Sequence, residues 1–448
     1  MSLYNTYGYY FGKIFVSPIN ENKVVLTGFN IELTTDGGKT FKNISKINTH
    51  PDHHACWIDP SKDSHFIIGN DGGVNITYDN GDHWFKANTP AVGQFYSVTT
   101  DDAKPYHVYG GLQDNGVWVG NTVRQRVNEA TNYDTLQYKN FNDGDGMQVQ
   151  VDTRDNKTVY SGSQFGFYSR TNLDTGKNLY IYPKNELGED AYRYNWQTPI
   201  LLSKHNQDVL YYGANKFFRS LNKGENMQAL SADLTNGKKE GDVPFGTFTT
   251  ISESPIKFGL LYIGTDDGNI NMSKDGGYTW TKIDINLSLP KIPKGLYVSR
   301  VTASAFKESR VYASLNGLRN DHFTPYLFVS DDYGASWKQL AKELPAEPIN
   351  VIKEDPKSDS ILYVGTDGGL YVSIDAGNTW MAWTKGIPYS IPIHDIAIQQ
   401  RENEIVLGTH GRSLYVASLR GVQVLKGIVT KEEKKVETNT SDEDEESQ

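Results

Sequence analysis

The chain has 448 residues, a formal net charge of −10 and a single cysteine, Cys56. One cysteine excludes an intramolecular disulfide framework, and an acidic balance without a basic patch excludes the footprint that nucleic acid requires. No run of about 18 apolar residues is present, which argues against membrane insertion. With 42 Gly, 28 Tyr and 8 Trp, the composition points instead to many short strands joined by tight turns.

Taken in chain order, strand material begins at once. "YYFGKIFVSPINENKVVLTG", from Tyr9, reads as two strands, with no signal peptide before it. "LTTDGGKTF" follows at Leu33 and "ITYDNGDHW" at Ile76, and both fit a frame of Ser/Thr-x-Asp-x-Gly-x-x-aromatic. The frame returns in "MSKDGGYTW" at Met272, "VSDDYGASW" at Val329 and "VSIDAGNTW" at Val372, with a weaker copy in "RSLNKGENM" at Arg219. A strand that usually ends in Gly precedes each box, as in "FIIGNDGG", "VYGGLQDNG", "LYIGTDDG" and "IVLGTHGR". Strands and boxes together give about nine copies spaced roughly 40–57 residues apart, the period of propeller blades. The expected fold is therefore all-β, a β-propeller of four-stranded blades with Asp-box turns. Residues 1–91 are expected to be the last two blades of an incomplete first propeller. Residues 92–425 would form a seven-bladed one, and 426–448 a disordered acidic tail.

Within one copy, the Asp closes a turn, Gly supplies the positive φ and the aromatic packs beneath. In the copy from Ile349, "INVIKEDP" is the inner strand, "ILYVG" the second, "LYVSID" the third and "TWMAW" the fourth. Loops then alternate between two faces. Asp boxes brace one face, so Asp36, Asp79, Asp275, Asp332 and Asp375 are scaffold. Function belongs to the other face, where rigid strands hold more varied loops.

That face offers several polar groups. "THPDHHACW" carries Asp52, His53 and His54, and Asp71 lies in the next turn. Histidine beside carboxylate suits a metal, but neighbouring side chains in an extended segment point apart, so hydrogen-bonded loop histidines are favoured. "GGLQDNG" carries Gln113, Asp114 and Asn115. "FNDGDGMQVQVD" carries Asp143 and Asp145, which share a side if extended. They could act as general acid and base, ligate a structural Ca2+, or simply turn the chain into a strand. Asn195 and Trp196 could form a sugar-stacking platform or pack between blades. "LNGLRNDHFTPY" reads as an insertion with Arg319, Asp321 and His322. Arg300, Arg319 and Arg412 could gather to hold a carboxylate, with His410 beside them. No cofactor is expected.

The boxes are those of the Asp-box (BNR) repeat family shared by sialidases, two-propeller xyloglucanases and sortilin-type propellers. The chain resembles bacterial "glycosyl hydrolase BNR repeat" or sortilin-like proteins through "HPDHHACWIDP", "GQFYSV", "GDGMQVQVD", "YNWQTPILLS" and "VLGTHGRSLYV". The resemblance runs from about Tyr9 to Val416 and implies tandem propellers in an extracytoplasmic protein, periplasmic or at the cell surface. It departs from the family's enzymes, lacking the Arg-Ile-Pro signature of sialidases. Asp145 matches one xyloglucanase aspartate without a nameable partner. One cysteine and no span depart from the sortilin receptors. The expected function is non-catalytic binding of a glycan or peptide on the loop face, where a protein partner could also dock. The alternatives are a glycoside hydrolase with paired carboxylates and a structural assembly module.

Overall fold

The computed structural model describes residues 10, 12–87, 91–122, 138–241 and 243–430. Among them stand nine antiparallel sheets, eight of four strands and one of three, each a simple meander. These blade-like sheets fit a β-propeller. No helix among the described residues is long and apolar enough to cross a membrane. The chain divides into two compact units, Met1–Val92 and Gly93–Gln448.

The smaller unit holds two sheets, opening with strands Lys13–Ser17 and His53–Ile58. Val25, Ile31, Leu33 and Ile44 of the first meet Ile58, Phe66, Ile68 and Trp84 of the second.

The larger unit holds seven sheets. Their first strands are Phe95–Thr100, Gln150–Val151, Ile200–Leu202, Phe248–Glu253, Tyr297–Ala303, Ile349–Asp355 and Ile393–Gln399. One apolar cluster fills each successive gap. Tyr109 and Val117 meet Val149 and Val159 between the first and second sheets. Tyr211 and Phe217 meet Phe248 and Ile263 between the third and fourth. Leu327 and Leu340 meet Ile352 and Val364 between the fifth and sixth. The seventh sheet returns to the first, where Ala397 and Val406 pack on Phe95, Val98 and Val108. The contact order is thus circular.

Second strands are buried on both faces by this arrangement. Ile361, Leu362, Tyr363 and Val364 are all fully buried, so the strand reads as a continuous apolar run rather than an alternating one. The recurrent Gly that ends it answers the close approach of sheets. A Cβ on Gly365 would fall 2.7 Å from Val351 Cγ1 and 2.8 Å from Ile393 Cγ2 of the next sheet.

Each Asp box is closed by its own side chains. Asp375 Oδ1 accepts from the backbone N–H groups of Asn378 and Thr379 and from Ser373 Oγ, and Oδ2 accepts from Thr379 Oγ1. Asp36, Asp275 and Asp332 repeat the pattern. Asn222 stands in for Asp in the weak copy. Hydrogen bonds hold Asp275 and Asp332 down at about 2. The box also bonds to the start of its second strand, as in Ala376 N to Ser360 O and Tyr333 N to Ser309 O. The boxes and the first turns therefore share one face. The starts of inner strands and the turns between second and third strands share the other. "LNGLRNDHFTPY" is no loop insertion. It extends strands Val311–Gly317 and His322–Ser330, joined by the 3-10 turn Leu318–Asn320.

Candidate functional site

The inner strands of the larger unit enter through a repeated irregularity. Register slips by one residue at Tyr96, Thr249, Ser299, Asn350 and His394, each a bulge at the start of an inner strand. Three bulged side chains tie sheets together. Thr249 Oγ1 donates to Val298 O at 2.6 Å, Ser299 Oγ to Ile349 O at 2.6 Å, and Asn350 Nδ2 to Ile393 O at 3.3 Å. At the first and seventh sheets the bulged residue is aromatic instead, and there a site assembles.

Tyr96 is its centre. Trp196, which leads into the third sheet, donates its indole N–H to Tyr96 Oη at 3.3 Å, spanning the second sheet. Phe165 meets Trp196 edge-on at 5.0 Å, and its φ of 57° places it in left-handed backbone that few aromatic residues adopt. On the other side Tyr96 lies 5.9 Å from His410, which stacks on His394 at 4.3 Å. Phe165, Trp196, Tyr96, His410 and His394 thus form a run of rings around the mouth of the ring of sheets. Trp196 remains 37% exposed, enough to present a face to a ligand.

The electrostatics favour neutral rings. Burial, then the nearby charges of Asp145 and Asp114, push Tyr96 up to about 12. Burial and His410 press His394 down to about 4. Burial also lowers His410, whose Nδ1 is buried without a partner. At neutral pH both imidazoles are therefore uncharged.

Asp145 is buried and its Oδ1 accepts from Asp114 N at 2.5 Å, while Asp145 N donates to Gln164 Oε1 at 3.2 Å. It fixes the turn of Gln113, Asp114 and Asn115, in which Asp114 has a φ of 58° and Asn115 Nδ2 donates to Gln113 O. Asp143 does not share its side. Gly144 has a φ of 80°, the chain turns there, and Asp143 is exposed. The extended spacing expected of the pair fails because that Gly bends the backbone between them.

Asn195 is spent on the scaffold, donating to Thr247 Oγ1 and accepting from Gln197 N. The three arginines do not gather. Arg300 pairs with Asp395 at 3.1 Å, Arg319 lies over the Tyr297 ring at 5.0 Å, and Arg412 is exposed. Asp321 is exposed in a left-handed turn. His322 stacks on Tyr326 and bonds its hydroxyl at 2.6 Å. In the smaller unit His53 and His54 point apart. His53 is fully buried and pressed down to about 4, whereas His54 Nε2 meets Asp71 Oδ1 at 2.7 Å. Among the described residues no group of three His, Cys, Asp or Glu is arranged to hold a metal ion.

Sequence reasoning missed Tyr96, Phe165 and His394. The signal available was the broken alternation in "GQFYSV" and "IPIHDIAI" that marks a bulge. A depression of about 220 Å³ beside Arg170, Lys177 and Lys223 lies on the Asp-box face, and its cations are partly engaged by Glu225, Asp152 and Asp208. The mouth holds the more unusual chemistry. Neither the protein-family models nor the curated proteins compared with the chain match it.

Proposed function

We propose that the chain is a non-catalytic binding protein of the cell exterior, with the larger unit a seven-bladed β-propeller of Asp-box type. A glycan or peptide would lie over the mouth formed by Trp196, Tyr96, Phe165 and His410. The observation that carries this is the run of rings, with an indole partly open to solvent and two neutral imidazoles beside it. Such rings bind sugar faces and apolar side chains through large contact area. Hydrolysis would need two carboxylates about 5–9.5 Å apart across the bond. Here Asp145 is buried on a backbone N–H and Asp143 faces solvent, which favours binding over cleavage.

Glycan and peptide arrays probed with the full chain and with Trp196→Ala test this. Binding by the variant is expected to fall about tenfold, equivalent to about 1.4 kcal/mol, with melting unchanged. Reducing-sugar release should stay at the blank. Equal binding by the variant would remove the mouth as the site, and sugar release lost with Asp145→Asn would make the protein a hydrolase.

A further inference from the structure

Each sheet of the larger unit covers the next, and the sixth shows what the covered face carries. Tyr363 and Val372 stand opposite each other in register and are 0% and 4% exposed. They belong to the cluster shared with Ile393, Ile396 and Leu407 of the seventh sheet. The second sheet of the smaller unit has the same face. Ile67 stands opposite Ile76, three residues before the box Asp79, as Val372 lies three before Asp375. Here register carries an apolar row across all four strands, with Trp57 opposite Ile67 and Phe85 opposite Ile76. The reverse face of that sheet, with Phe66, Ile68 and Trp84, is buried on the first sheet. The row itself is not covered. Trp57 and Phe85 are 48% and 56% exposed, and Ile67 and Ile76 are half-buried.

The ends of this row are more apolar than the repeat requires. The residue after the box aromatic is Phe85 here, but Lys42, Gln228, Thr281 and Lys338 in four other sheets. The inner-strand counterparts of Trp57 are Ser252, Thr302 and Lys353, opposite Tyr262, Tyr312 and Tyr363. A widened, uncovered apolar face marks an interaction surface. The first sheet of the smaller unit leaves open the opposite kind of face, the one that meets a preceding sheet. Ile14 stands opposite Leu26 and Val16 opposite Val24. Their counterparts Ile352, opposite Val364, are fully buried against the fifth sheet. Ile14 and Val16 are 71% and 55% exposed. The smaller unit thus carries both halves of the sheet-to-sheet interface, each uncovered.

We propose that the open face of the second sheet docks the open first sheet of another copy of this chain, head to tail. The occupant follows from the interface already established: every apolar cluster that joins two described sheets does so between opposite faces of this kind. Such a contact is heterologous and closes when the copies come full circle. About two to four copies would gather about four to eight such sheets, the range that propellers hold. The inference stands apart from the mouth reading, since all its residues lie in the smaller unit.

The test is sedimentation velocity of the full chain between about 1 and 100 μM, the weak end of affinities for a specific interface. The parent should associate as concentration rises. Trp57→Lys and Ile14→Lys should each weaken association by about tenfold or more, because each spoils one half of every contact. Both should melt as the parent does, since both side chains are largely exposed. If Trp57→Lys melts lower, Phe85→Lys replaces it, installing the residue that two other sheets carry there. A parent that stays monomeric throughout would overturn the proposal. So would association lost with Trp57→Lys or Phe85→Lys but kept with Ile14→Lys, because the second sheet would then be pairing with itself.

Discussion

Trp380 offers the sharpest test of how the sheets are joined. Its ring packs against the cluster between the fifth and sixth sheets, and its Nε1 donates at 3.1 Å to Leu340 O, past the outer strand of the preceding sheet. Trp84 makes the same link to Ile44 O at 2.9 Å, whereas the Trp337 indole N–H stays within its own box and its backbone N–H donates to Ser288 Oγ at 3.2 Å. Truncating a fully buried Trp costs about 3–5 kcal/mol. Trp380 is half-buried, so Trp380→Ala should cost about 2–4 kcal/mol, of which about 1 kcal/mol is the hydrogen bond. Trp380→Phe keeps much of the ring and should cost about 1–2 kcal/mol. A unit of roughly 340 residues has an unfolding entropy near 0.7 kcal/mol/K, so a 3 kcal/mol loss lowers its Tm by about 4 °C. Paired thermal and urea melts of the three proteins measure this. A Trp380→Ala protein that melts within 1 °C of the parent would refute the claim that box aromatics join adjacent sheets.

Two further outcomes follow from the mouth. Burial holds His394 at about 4 against an ordinary 6.5, so the unfolded chain binds more protons between those values. Stability is full above about pH 6.5 and is lost as pH falls toward 4, by about 3 kcal/mol at most. His394→Asn should flatten that part of a Tm-against-pH curve, and an unchanged slope would contradict it. Asp145→Asn keeps the acceptor for Asp114 N and should preserve both fold and ligand binding. Asp145→Ala leaves a buried donor unpaired and should cost about 1–3 kcal/mol while loosening the turn beside Tyr96. Loss of binding in a well-folded Asp145→Asn would show that the carboxylate itself meets the ligand.

What could be read from the sequence was what is local. An Asp box is satisfied within eight residues, Thr34 to Phe41 for example, so its hydrogen bonds are implicit in the order of Thr, Asp and Gly. The split between scaffold turns and varied loops followed from that. Trp196 and His410 were visible as polar or aromatic residues in the right loops. Their meeting through Tyr96 was not, because a bulge shifts the side-chain phase by one residue and no spacing records it. Arg300 and Asp395 are 95 residues apart and join sheets that are not neighbours. Asp143 and Asp145 misled for the opposite reason: their spacing suggested a pair, but the Gly between them turned the chain.

Edge satisfaction connects these features. Sheets arranged in a circle leave every inner strand with one unpaired side, and that side must find acceptors or water. Gln148, Gln150, Thr250, Ser252 and Asp395 close it with side chains, making rigid wall. Where tyrosine and histidine occupy the bulges, the wall opens into a ring-lined mouth. At the fifth sheet Arg300 occupies such an acceptor position and reaches Asp395 of the seventh at 3.1 Å. Packing of the clusters does not require the aromatic bulges, since Phe95, Val98, Ile393 and Ile396 beside Tyr96 and His394 are buried as their counterparts elsewhere are. The binding proposal rests on that one place, where Tyr96, His394, His410 and Trp196 bring their rings together at the start of the inner strands.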